Sequence, residues 1–533
     1  MLNISVVDSV IVVVYVLLTL LLGIWIGRGP TNLSGFLVGG RSLPWYAVLG
    51  SIVATETSAV TFLSIPGVIF AKGGNFSFLQ LAIGFVLGRL IVIAWLMPGY
   101  FRGEILTAYE ILHRRFGGLT QRTASLIFML TRTIADGLRL YLTGLVLNKV
   151  TNFDTSLCVL LMGVATIIYS SLGGIKSVVW NDCIQLIVYL IGAVVAIGVI
   201  ANGLPNGIQS IVDYGNQERK FDMVQWAFSL KTENIWAGVI GGCFLCLATH
   251  GTDQMMVQRY LCSRNEGQAR LALGLSGPFI FLQFALFLFV GVGLAAYYAN
   301  GLTKPAEVND QVFALFIVQD MPIGICGITL AAVFSVAMST LSSSLSGSAS
   351  AIVNDFIKPA KERRLQELGQ PTQGDAIDAS LTRASQSWTA IFGVLQIGVA
   401  IVVAWSPAFQ SDSIVRQVIT VAGFASGLVL GVFMLGQSKR DFAQASLLIG
   451  MLFGFGITAL LVLVPTPWAL RQIGISVAES YSWQIHGWWA AVVASLSTCT
   501  IAWVVDIAFP QAKPHPTHTG STERTRNRKH KKQ

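Results

Sequence analysis

The sequence predicts an all-α, polytopic membrane protein with about thirteen transmembrane helices, and three observations carry that reading. Of 533 residues, 53% are hydrophobic and only 11% are charged, with a mean hydropathy of +0.66. A soluble fold of this composition would expose far too much apolar surface. The apolar residues also fall in runs long enough to span a bilayer, near 6–26, 46–70, 77–100, 123–147, 155–172, 181–203, 235–256, 271–298, 322–352, 385–405, 414–436, 442–464 and 487–509. Finally, Lys and Arg gather in alternate connections.

The first run is long and has no basic segment before it, so it reads as a retained span and not a cleavable signal. With the N-terminus outside, the inner connections collect Arg28 and Arg41, then Arg102, Arg114, Arg115 and Arg122, then Lys176, then Arg259, Arg264 and Arg270. Further along they collect Lys358, Lys361, Arg363, Arg364, Arg383 and the Lys439/Arg440 pair. The outer connections carry fewer, so the positive-inside rule puts the N-terminus outside and the C-terminus in the cytoplasm, as an odd span count requires. One membrane domain is expected over 1–510, with a charged inner loop at 354–384, a sizeable outer loop at about 204–233, and a basic, disordered cytoplasmic tail at 511–533.

The net charge of +9 needs no nucleic-acid partner. The basic stretch Arg524–Lys532 reads as an anionic-lipid or topology signal. Cys243 and Cys246 are spaced like a redox pair, but in an apolar span with no soluble βαβ context they read as small packing residues.

Polar residues interrupt several spans. The second breaks at ATETSAVT (54–61) and the seventh at ATHGTDQ (248–254). A spanning helix with a polar centre unwinds there, freeing carbonyls and helix ends to hold a ligand near the midplane. The two broken spans lie five apart, the spacing of inverted repeats, which places the repeats at about 46–203 and 235–436. The ninth span carries Ser335, Ser339, Ser342, Ser343, Ser346 and Ser350 at three- and four-residue steps, one face of a helix. Neutral oxygens in a membrane either bond neighbouring helices or replace the water shell of a small hard cation.

FLVGGRSLPWYAVLGS (36–51), YFRGEILTAYEILHRRFG (100–117), GGIKSVVWNDCIQ (173–185), TDQMMVQRYL (252–261) and the serine-rich segment ending at Asp355 together resemble the sodium/solute symporter family. The resemblance implies a LeuT-type five-plus-five inverted-repeat core with extra terminal helices. SAVTFLSIPG (58–67) looks closest to the branch carrying monocarboxylates, iodide and acidic vitamins. The implied function is sodium-coupled import of a small organic solute, best read as a carboxylate-bearing anion, with a sugar, amino acid or other zwitterion as the alternative. Sodium is the implied coupling ion, with no organic cofactor. The expected partners are the solute, sodium and membrane lipids; the monomer is the functional unit, with homo-oligomers left open.

By the same resemblance, a first sodium site uses the carbonyls of Ala54, Thr57 and Val336 and the hydroxyls of Ser339 and Thr340. A second uses Asp182 with Ser339, Ser342 and Ser343; a helix-start cap at Asp182 is the competing reading. Substrate contacts are expected from Thr55, Glu56, Ser58, Thr61, Gln80, Arg139, Thr252 and Asp253. Arg139 lies deep in an apolar helix, where it either forks onto a substrate carboxylate or pairs internally with Asp136. Glu56 departs from the neutral residue of many relatives; it holds a cation or proton, or neutralises an arginine such as Arg89.

Two other classes fit poorly. A ligand sensor needs a signalling domain, and only about two dozen residues follow the last span. An integral-membrane enzyme needs clustered His, Cys and carboxylates, whereas the six His are scattered. His250 near the second break reads as a hydrogen-bonding core residue.

Overall fold

The computed structural model describes residues 5–28, 32–103, 105–151, 153–299, 311–405, 414–463 and 485–510. The tail at 511–533 and the segments between these ranges lie outside the described residues. Within them the regular structure is helical, joined by a single β-bridge between Leu43 and Ser263.

Helix α1 (Val6–Ile26) starts at Ser5, whose hydroxyl accepts the Asp8 N–H at 3.1 Å. Val6, Val10, Val13, Leu17 and Leu21 are exposed on it at three- and four-residue steps, an apolar stripe suited to lipid. Asp8 turns inward, and its Oδ1 accepts the Gly324 and Gly327 N–H groups at 2.8 and 2.7 Å. A carboxylate there complements the positive N-terminal end of the next major core helix.

Helices α2 (Trp45–Glu56) and α3 (Ala59–Phe70) form the second span, bent by 53° between them. Helix α4 (Leu79–Ile91) follows, then α5 (Gly118–Thr151). The 48 residues of α6 (Thr155–Asn202) cover two expected spans. Gly174, at φ 59° and ψ −170°, bends it sharply, a conformation that favours glycine. Helices α7 (Gly242–Gly251) and α8 (Gln254–Leu261) make the other broken span. Then come α9 (Glu266–Ala299), α10 (Ile325–Ile352), α11 (Asp375–Trp405), α12 (Ile414–Gly436), α13 (Gln444–Thr458) and α14 (Ala490–Ala508).

Among the described residues, eight helices are long and apolar enough to cross a membrane, or nine with the bent α2–α3 pair counted as one. The other expected spans fall on shorter or more polar helices, or inside the bent α6.

Helix α10 is the centre of the fold. Its side chains from Cys326 to Ala351 are buried almost without exception, against α6, α5, α1 and α11. The serines and alanines of the stripe allow that close approach. Two sequence expectations change here. Asp182 lies inside α6, past the Gly174 bend, so it does not cap a helix start. Arg259 is not in a loop: α8 continues to Leu261, and the guanidinium is fully buried.

Candidate functional site

The site is built where the α2–α3 break faces α10. Thr57 (φ −77°, ψ 110°) and Ser58 (φ −104°, ψ 169°) are extended, so the helical ladder fails locally. The Ser58 N–H turns to Thr61 Oγ1 at 3.4 Å and not back to the Ala54 carbonyl. Across the gap, Thr340 Oγ1 lies 3.3 Å from the Thr57 carbonyl and 3.2 Å from the Val336 carbonyl. Thr57 is fixed from behind: Gln283 donates to its hydroxyl, as does Tyr189 at 3.2 Å. The structure therefore joins Thr57, Val336 and Thr340 in one oxygen-lined constellation. Among the described residues, no group of three or more His, Cys, Asp or Glu side chains is arranged to hold a metal ion. Carbonyls and hydroxyls are the ligands a hard cation takes.

Ser339 sits one residue along, but its hydroxyl donates to Asp182 Oδ1 at 2.6 Å. Asp182, fully buried, also accepts from Ser51 at 2.5 Å, from Thr55 at 3.3 Å and from Arg259 Nη2 at 3.1 Å. Ser343 bonds both Thr55, at 3.0 Å, and Arg259, while Ser342 donates to the Ser339 carbonyl at 3.1 Å. Asp182 thus has its hydroxyl partners and an arginine as counter-ion. Sequence reasoning missed Arg259, and the signal was the uninterrupted helical stretch QMMVQRYL after the second break.

Beside this cluster lies a cavity of about 130 Å³. Thr55, Glu56, Ser58 and Thr61 form one wall, Arg132 and Arg139 of α5 another, and Thr249 and His250 of α7 a third, with Phe78, Phe85 and Phe284 between them. Five of the expected substrate residues therefore meet: Thr55, Glu56, Ser58, Thr61 and Arg139. Gln80 stands apart. Its amide donates to the Ser77 carbonyl at 3.0 Å and its oxygen accepts the Gln225 N–H at 3.2 Å, tying α4 to the connection between α6 and α7. Thr252 and Asp253 line a neighbouring cavity of about 10 Å³, room for about one water molecule.

The charges at the cavity fall into two groups. Arg139 Nη1 pairs with Asp136, Arg132 lies 3.9 Å from Asp136 and 3.2 Å from Asp253, and Asp253 caps the Met255 N–H at 2.8 Å. The Nε groups of Arg132 and Arg139 are buried without a hydrogen-bond partner among the described residues. In the second group Glu56 pairs with Arg89 and lies 3.4 Å from His250 Nε2. Arg89 is held by Ser276 and the Phe85 carbonyl, each at 3.0 Å. Helix α4 reaches this position because it lacks side chains where α7 crosses it. A Cβ on Gly84 would lie 2.5 Å from the Gly238 carbonyl, and one on Gly88 2.5 Å from the Cys246 Cβ. Cys246 is thus a packing residue, and a free thiol.

Comparison with known proteins agrees with this architecture. A solved Na+-coupled sialic acid symporter, substrate-bound and outward-open, superposes with a TM-score of 0.80 at 24% identity, covering 96% of this chain and 99% of that one; the likeness establishes the LeuT-type fold. The sodium-coupled monocarboxylate transporter 1 of Homo sapiens is 29% identical over 443 residues, 81% of this chain and 68% of the relative. The sodium-dependent multivitamin transporter of Oryctolagus cuniculus is 28% identical over 466 residues, 85% and 70% of the two chains. The family model described as "Sodium:solute symporter family" matches residues 36–454. The chain belongs to that family and is a multi-pass, sodium-coupled symporter of a small solute.

Proposed function

We propose that the solute is a small organic anion held by its carboxylate, imported across the inner membrane of a cell with the N-terminus outside and the C-terminus in the cytoplasm. Arg139 carries the reading. It lines the cavity, spends only Nη1 on Asp136 and keeps an Nε–H buried without a partner among the described residues. An unmet guanidinium edge in a low-dielectric wall is costly unless a ligand completes it, and a carboxylate matches its fork.

Charge balance supports the same reading. Around the two breaks four acids, Glu56, Asp136, Asp182 and Asp253, pair with four arginines, Arg89, Arg132, Arg139 and Arg259. Sodium among the neutral oxygens of Thr57, Val336 and Thr340, completed by Ala54 and Ser339, adds one positive charge that a monoanion cancels. Sodium there draws the α2–α3 break onto α10 and orders the Thr55–Thr61 wall, so each ligand favours the other's binding. Asp182 with Ser339, Ser342 and Ser343 becomes a second sodium site only in a conformation from which Arg259 has withdrawn. With repeats at 46–203 and 235–436, a bundle that includes the two broken spans would rock against the remaining scaffold within a single domain over 1–510, in a protein that works as a monomer. The relatives are transporters, and no chemistry on the solute is proposed.

A zwitterion is the second reading, favoured by Glu56 on the cavity wall. Sodium-driven uptake into proteoliposomes, screened with carboxylates, sugars, amino acids and vitamins, decides between them. A carboxylate whose uptake collapses in Arg139→Lys supports the anion; uptake indifferent to Arg139 overturns it.

A further inference from the structure

The Glu56 wall carries more than charge balance. Glu56 ends α2 and lines the cavity, with its side chain still 12% exposed. Its Oε2 accepts from Arg89 and lies 3.4 Å from His250 Nε2, and among the described residues no hydrogen bond reaches Oε1. Arg89 does not line the cavity: it is 1% exposed and pinned from the far side by Ser276 and the Phe85 carbonyl. The acid is therefore neutralised from behind while one of its oxygens remains an unfilled acceptor in front. Within the same cavity, Arg139 presents only donors. No ion pair joins the two groups among the described residues: Glu56 belongs to α2, α4 and α7, Arg139 to the α5–α8 cluster. Between the polar groups the wall is apolar, with Ile65, Leu81, Phe85, Met256 and Phe284 among its side chains.

We infer that the substrate is bifunctional: a carboxylate that also carries an uncharged hydrogen-bond donor, a hydroxyl or an amide N–H, directed at Glu56 Oε1. The donor is uncharged because Arg89 already balances Glu56, so an ammonium would leave an excess positive charge. An unadorned carboxylate offers Oε1 no donor, and discrimination against a ligand lacking the matching polar group is the stronger kind of selectivity. Glu56 is then a specificity-determining residue. The inference rests on the carboxylate bound at Arg139 and adds the second group.

The test is competition for sodium-driven uptake in proteoliposomes, using matched acids that differ by one hydroxyl: lactate against propionate, and 3-hydroxybutyrate against butyrate. In the wild type at least one hydroxy acid should compete at about tenfold lower concentration than its deoxy partner, the size of a hydrogen bond to a charged group. In the Glu56→Leu/Arg89→Leu double variant, which removes acid and counter-ion together, that ratio should fall to about one. In Glu56→Gln the amide oxygen can face Arg89 and turn its NH2 to the cavity, where a substrate hydroxyl accepts a weaker, uncharged hydrogen bond, so the ratio should fall. Equal competition by hydroxy and deoxy acids, or a ratio unchanged in both variants, overturns the donor subsite alone. If neutral alcohols or amines compete and no carboxylate does, the carboxylate reading fails and this inference fails with it.

Discussion

Arg259 and Asp182 meet at 3.1 Å with both side chains fully buried, joining the second half of the α7–α8 broken span to the helix that packs most closely on α10. Removing one partner leaves the other charged and alone in the interior. Arg259→Leu should therefore lower stability by about 3–5 kcal/mol, read as a fall in the melting temperature of the purified protein. Arg259→Leu combined with Asp182→Asn should recover much of it. Equal melting of the single and double variants would show that the pair is not the source.

Thr340→Ala removes one hydroxyl from the set that includes the Thr57 and Val336 carbonyls. The half-saturating sodium concentration for uptake should rise about tenfold, equivalent to roughly 1.4 kcal/mol, while melting without sodium changes little. Unchanged sodium dependence would sink the assignment of this site.

At Arg139 the two roles separate by mutation. Arg139→Lys keeps the charge near Asp136 but cannot reproduce the fork, so substrate affinity should fall about tenfold or more with sodium binding little altered. If the arginine serves only Asp136, the double variant Asp136→Asn/Arg139→Gln should transport almost normally. Near-normal uptake in that variant would retire the carboxylate clamp.

The paired charges at the two breaks predict one sodium per monoanion, hence no net charge moved per cycle and no uptake driven by membrane potential alone. Each net charge would otherwise add about 2.3 kcal/mol per 100 mV. Reversal-potential measurements in proteoliposomes give the count directly. For a solute shown to be a monoanion, one positive charge per cycle would mean that Arg259 does withdraw and that Asp182 holds a second ion.

Much of the fold and site was legible in the sequence because membranes punish unneeded polarity. The Thr55–Ser58 interruption, the hydroxyl stripe of α10 and the Asp136–Arg139 spacing all stand out against apolar surroundings, and Glu56 already suggested Arg89 as its neutraliser. Arg259 escaped notice because it lies near the end of a span, where arginines ordinarily face the cytoplasm; its partner is 77 positions away and only packing brings them together. Gln80 misled for the converse reason. It looked like a cavity residue in an apolar helix, yet it satisfies the backbone of the connection between α6 and α7, which periodicity does not locate. The bend at Gly174 sets where the second half of α6 begins, and so moves Asp182 from a helix start to a helix interior.

The bridge between Leu43 and Ser263, in which the Leu43 N–H donates to the Cys262 carbonyl at 3.0 Å, fastens the N-terminal end of α2 to the C-terminal end of α8. Arg259 Nε adds a second fastening by donating to Ser51 at 2.8 Å. Arg259 is thus held in common by Ser51 of the first broken span, Asp182 of α6 and Ser343 of α10, so the two half-helices and the α10 hydroxyl stripe share one anchor, and a shift of any of them is felt by the other two.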